Sequence, residues 1–135
     1  MRTILHPFTL VATTPRSYDD AVARAREALA EEGFGVLCEI DVRETLKNRL
    51  GVEREPYLIL GACNPPLAHE ALELEPELGA LLPCNVVVYV DDGLTHVSAV
   101  DPERLLAVAD RAELAPIATE IHRRLQRVVD RVAAC

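Results

Sequence analysis

The chain of 135 residues has no tryptophan, a single lysine and only five aromatic side chains, Phe8, Phe34, Tyr18, Tyr57 and Tyr89. A core without large rings must be packed from Leu, Val, Ile and Ala. Half the residues are hydrophobic and 27% are charged, so a globular core of that kind is feasible. Positive charge is scarce too: 14 basic residues stand against 22 acidic ones, for a net charge of −8. Such a surface repels phosphate backbones, and no aromatic residues alternate with a basic stripe, so nucleic acid is not an expected partner.

No apolar run approaches the roughly 18 residues needed to span a membrane. The opening MRTILHPFTLVATTP sets a histidine and a proline inside a short apolar stretch, lacks a small-residue cleavage pattern, and does not read as a secretory signal. The expected location is the cytoplasm, with no membrane partner. There is no C-x-x-C pair, so Cys38, Cys63, Cys84 and Cys135 are expected as reduced thiols rather than a disulfide framework. A chain of this length suits one domain over 1–135, which buries roughly two-thirds of the surface its unfolded form exposes.

The patterning along the chain predicts alternating strands and helices. FTLVATT over 8–14 is short and β-prone, and Pro15 ends it. Ser17 is placed to cap a helix over about 17–32, with Asp19 and Asp20 at its positive end and Gly33 beyond its last turn. GVLCEID over 35–41 reads as a strand with Val36 and Cys38 on one face and Leu37 and Glu39 on the other. Asp41 then caps a short helix ending at Gly51. YLILGAC is apolar on both faces, as an interior strand should be. A third helix is expected from about Pro66, interrupted at Pro76 so that the chain can turn back. NVVVYV and LTHVSAV flank Asp91-Asp92-Gly93 as a hairpin. Asp101-Pro102 opens a helix over about 102–109, and a last helix carries Ile117, Ile121, Leu125, Val128 and Val132 on one stripe. With no Gly-rich phosphate loop, the order favours an α+β fold in two layers, a largely antiparallel sheet with helices on one face.

The chemistry-bearing stretch is GACNPPLAH, residues 61–69, behind the apolar YLIL; a second cysteine–asparagine pair, Cys84-Asn85, follows LLP. The two prolines carry no amide hydrogen, so the first free donors at the third helix's start belong to Leu67, Ala68 and His69. A cysteine near such an end can have its thiol pKa lowered. If the chain reverses at Pro76, Cys63, Asn64, His69, Cys84 and Asn85 meet beneath that helix tip. The spacing of Cys63, His69 and Cys84 matches no common zinc pattern, and no metal is expected there. His6, His96 and His122 read as surface side chains, the arginines of the last helix as a solvated basic face, and Glu70, Glu73, Glu75 and Glu77 as solvated surface.

GFGVLCEIDVRETLKNRLGV, PYLILGACNPPLAHEAL and LLPCNVVVYV with a later Asp-Pro resemble the bacterial and archaeal family called domain of unknown function 302. The resemblance is densest from Gly33 to Val90. It implies a compact two-layer fold similar to the TATA-binding-protein-like class, assembled as a homodimer, with Gly61, Cys63, Asn64, Pro65, Pro83, Cys84 and Asn85 as motif residues. It names no reaction and no cofactor. Cys38 stands where the family's strand is expected to carry threonine, so it is the cysteine with least claim to a role.

The expectation is therefore a binding module: a homodimer holding a small anionic or thiol-bearing ligand with Cys63, Asn64, Leu67, Ala68, His69, Cys84 and Asn85. Two alternatives stay open. One is a thiol-dependent redox or sulfur-transfer enzyme with Cys63 as nucleophile; the other is a purely structural or dimerisation scaffold.

Overall fold

A computed structural model describes residues 2–4 and 6–134; Cys135 lies outside the described residues. Six strands form one antiparallel sheet: β1 (Arg2–Ile4), β2 (Thr9–Thr14), β3 (Gly35–Asp41), β4 (Tyr57–Cys63), β5 (Cys84–Asp91) and β6 (Leu94–Val100), in the spatial order β1-β2-β6-β5-β4-β3. The helices are α1 (Tyr18–Glu31), α2 (Val42–Leu50), α3 (Pro65–Leu74), α4 (Pro102–Ala107) and α5 (Ala115–Ala133). Short 3-10 turns at Pro76–Leu81 and Ala112–Leu114 complete the chain. The architecture is two-layer α+β.

The capping residues fall where the sequence places them. Ser17 accepts from the Asp20 amide at 3.1 Å, and Asp41 accepts from that of Glu44 at 2.9 Å. Gly51 closes α2 in the left-handed conformation, φ 68°, which glycine adopts without a Cβ penalty. The hairpin joins β5 to β6, and the break after Leu74 returns the chain so that β4 and β5 run antiparallel. One strand was not expected from the sequence: residues 2–4 pair with Val11–Thr13. The third helix starts at Pro65, one residue early.

The pleat separates the two faces of the sheet. Ala12, Val97, Val88 and Leu58 form one row of the inner face, and Ala99, Val86 and Leu60 the next. All seven are buried against Ala21, Ala25, Ala28 and Leu29 of α1 and the α5 stripe of Ile117, Ile121, Leu125, Val128 and Val132. Small alanines on α1 let that helix lie close to the sheet, which is how a core without tryptophan closes. The outer face carries Thr13, His96, Tyr89 and Tyr57 in one row and Val11, Ser98, Val87, Ile59 and Ile40 in another. Among the described helices, α2 contributes no buried residue to the core.

β3 departs from the expected alternation. Its register shifts between Val36, opposite Ala62, and Cys38, opposite Gly61, so Leu37 is an extra residue in the ladder. Val36 therefore shares the inner side with Ala62 and packs on the core, while Cys38 shares the outer side with Gly61. The two residues expected on one face lie on opposite faces.

Candidate functional site

The reversal at Pro76 sets Ala62 opposite Cys84 and Gly61 opposite Asn85, bringing the two cysteine–asparagine pairs to one end of the sheet. Ala62, and not Cys63, stands opposite Cys84, but Cys63 follows at the end of β4 and both thiols border one cavity.

On the inner side a cavity of about 260 Å³ opens between α3, the 3-10 turn after it and the ends of β4 and β5. Its walls are almost wholly apolar: Phe34, Ala62, Ala71, Leu78, Leu106 and Ile121 make the buried part. Cys63, Asn64, Ala68 and Cys84 also border it. Burial pushes the Cys84 thiol up to about 11, with a smaller contribution from Cys63, so at neutral pH Cys84 is an uncharged thiol.

Asn64 is buried and works as the helix cap. Its Oδ1 accepts from the Leu67 amide at 3.3 Å and its carbonyl from that of Ala68 at 2.8 Å, so the first donors at this helix end already have partners. Its Nδ2 lies 3.5 Å from the Glu32 carbonyl, which also accepts from Arg124 at 3.0 Å. This local arrangement follows from Asn-Pro-Pro: the prolines remove two amide hydrogens, and the asparagine satisfies the next.

Three expected members of the site stand elsewhere. The His69 side chain is 78% exposed, lies 4.0 Å from Glu73 and does not border the cavity. It falls on the solvent side of α3, one turn past the capped end. Asn85 is exposed on the outer face, against a different, shallow hollow lined by Phe8, Val11, Tyr57, Val87, Tyr89 and His96. Leu67 packs partly buried against the core without bordering the cavity.

Other residues take roles the sequence reading did not give them. The Glu32 side chain, 6% exposed at the end of α1, lies 2.7 Å from both Arg127 and Arg131. Arg123 and Arg124 bind Glu120 and hold its carboxyl at about 2. The basic face of α5 is therefore largely paired within the chain rather than simply solvated. Glu75 caps the 3-10 turn and binds Arg111 at 3.3 Å. His122 Nδ1 lies 3.1 Å from Asp101 Oδ1 and 3.0 Å from Glu103 Oε1. Among the described residues no helix is long and apolar enough to cross a membrane.

An antiparallel six-stranded sheet backed by helices on its inner face, with an apolar cavity at the end where two Cys-Asn pairs meet, defines a two-layer α+β protein whose cavity is walled by helices and strand ends. Residues 10–132 match the family model described as Domain of unknown function DUF302, and the chain belongs to that family. It is similar to the crystal structure of an uncharacterized conserved protein DUF302 from Bacillus stearothermophilus. The TM-score is 0.88 and the identity 32%, over 94% of this chain and 99% of that one. No curated protein matches the chain.

Proposed function

We propose that the protein is a binding module for a small, uncharged, largely apolar ligand held in the inner cavity, and that it works as a homodimer. The observation that carries the first part is the cavity's lining. Wide apolar walls with a few polar groups at the rim are the usual composition of small-molecule sites. A dry apolar cavity of about 150 Å³ holds benzene, so a space of about 260 Å³ suits a substituted ring or a short acyl chain. This shifts the ligand class away from the anionic one expected at the helix tip, because the Leu67 and Ala68 amides are satisfied by Asn64. It also sets the thiol-enzyme reading, with Cys63 as nucleophile, behind the binding one, since the helix-end amides on which that reading relied already have their partner in Asn64.

Calorimetric titration with indole and with 1-octanol tests the binding reading. Saturable binding at one site per chain is expected from at least one probe. Ala68→Phe, which fills the cavity, should abolish it while thermal unfolding stays cooperative. No binding of either probe, or binding untouched by Ala68→Phe, would defeat the proposal.

The dimer reading rests on the outer face of the sheet, where Ile59, Val87, Tyr57 and Tyr89 are half-buried and the Arg54 guanidinium lies 4.9 Å from the centre of the Tyr57 ring. In a chain of net charge −8, a face poor in acidic side chains is where two copies can approach with least repulsion. The free thiols Cys38, Cys63 and Cys84 suit a reducing compartment, which supports a cytoplasmic location.

A further inference from the structure

Asp101, Glu103 and His122 come from two elements: Asp101 is the N-cap of α4 and Glu103 lies in its first turn, while His122 stands in the middle of α5. Each offers one donor atom, and the three atoms lie within 4.8 Å of one another. His122 Nδ1 is 3.1 Å from Asp101 Oδ1 and 3.0 Å from Glu103 Oε1. A single ring nitrogen bears at most one hydrogen, which can point along only one of these two directions. The convergence of two carboxylates on one nitrogen therefore asks for positive charge at the centre of the group, and a proton alone serves one of them poorly. Donor atoms set about 2.1 Å from a tetrahedral cation are about 3.4 Å apart, so the nitrogen–oxygen edges of 3.1 and 3.0 Å need open by only a few tenths of an ångström to take one.

We propose that Asp101, Glu103 and His122 form a binding site for a divalent first-row cation of the Zn²⁺ class, clamping α4 to α5. One imidazole and two carboxylate oxygens make a donor set of borderline hardness, suited to Zn²⁺, Co²⁺ or Ni²⁺ rather than to soft Cu(I). Three protein donors on one side leave the remaining positions to water. Asp101 is held in place from two directions: its Oδ1 accepts from the Glu103 amide at 2.9 Å, and its own amide donates to the Phe8 carbonyl at 2.9 Å. The group is partly open, with side chains between 19% and 49% exposed, so a cation can enter without unfolding. The site also has a position in the fold. Leu106 lies on α4 and Ile121 beside His122 on α5, and both wall the apolar cavity, so the cation would fix two of its sides relative to each other.

The test uses the full chain stripped with chelator. Zn²⁺ titrated by calorimetry should bind at one equivalent and raise the melting temperature. Asp101→Asn keeps the helix cap while removing the carboxylate charge, and His122→Asn removes the nitrogen donor; each should weaken Zn²⁺ at least about 10-fold with the helical circular dichroism retained. Co²⁺ distinguishes this site from the cysteines. Bound by nitrogen and oxygen it should show weak visible bands without intense sulfur-to-cobalt charge transfer. Absence of saturable Zn²⁺ binding would reduce the group to a proton-mediated ion pair and overturn the proposal. So would Co²⁺ spectra dominated by sulfur, or Zn²⁺ affinity indifferent to both substitutions.

Discussion

Gly61 stands on the outer side of β4 directly across from Cys38, and a Cβ built on it would fall 2.6 Å from Cys38 Sγ and 3.0 Å from Pro83 Cγ. The position needs glycine for close approach, not for backbone conformation. Gly61→Ala should therefore cost about 1–3 kcal/mol of stability by overpacking. Cys38→Ala removes the sulfur but not the proline, so the double variant should recover part of the loss. A coupling of at least about 0.5 kcal/mol between the two, measured by urea unfolding, checks it; strictly additive effects would show that the sulfur is not what glycine avoids. At this scale the sequence was readable where a residue acts on its own neighbours. Ser17, Asp41 and Asn64 cap helices because an oxygen and an amide three residues on are fixed by local geometry. The facing of Cys38 was not readable, because the extra residue at Leu37 is set by the pairing with β4 and leaves no mark on β3's own pattern.

At the scale of elements, charge joins two helices where α1 ends against α5. Glu32 closes α1 with its carboxylate between Arg127 and Arg131, and its pKa is held below the ordinary 4.5. The hydrogen bond from Arg127 is the largest cause; burial opposes it, and the charges of Arg127 and Arg131 add to the lowering. A carboxyl whose folded pKa lies below its unfolded one stabilises the protein fully above the unfolded value, and the contribution is lost as pH falls through the folded value. Glu32→Gln should thus cost about 1–2 kcal/mol near neutral pH, a figure reduced for the solvent around Arg127, which is 40% exposed. The gap between variant and wild type should narrow below pH 4.5. Unfolding curves over that range provide the measurement, and a gap that ignores pH would show that charge plays no part. The α5 stripe was legible from its helical spacing; Pro76 marked only where a reversal could fall, and the antiparallel pairing of β4 with β5 decides it. The partner of the arginine face was not, since Glu32 and Arg127 are brought together only by the packing of one helix on another. The first strand, only three residues long, is likewise defined by its pairing with β2 rather than by its own composition.

At the scale of the whole molecule, charge and hydrophobicity lie in different places. The net −8 opposes self-association in general, while the outer sheet face offers rows of Val, Ile and Tyr, with the Arg54 guanidinium over the Tyr57 ring. Tyr57 and Tyr89 stack at 5.2 Å between ring centroids, and Tyr89 stacks on His96 at 4.8 Å, giving that face a firm aromatic ridge. The fold class was legible because strand and helix periods alternate so plainly, but the faces of the sheet that remain open follow only from where every helix packs. If two copies join across this face, Val87→Asp places a carboxylate in the interface without touching the core, since Val87 points away from α1 and α5. Light scattering coupled to size exclusion should then report a dimer for the wild type and a monomer for Val87→Asp with its melting curve preserved. Added salt should tighten the wild-type dimer, because at about 0.15 M the screening length is already about 8 Å and further screening weakens the repulsion between two acidic copies faster than it affects apolar contact. A wild-type monomer, or a dimer that survives the charge introduced by Val87→Asp, would place self-association elsewhere or nowhere; a dimer loosened by salt would mean that ion pairs rather than this apolar face hold the copies together.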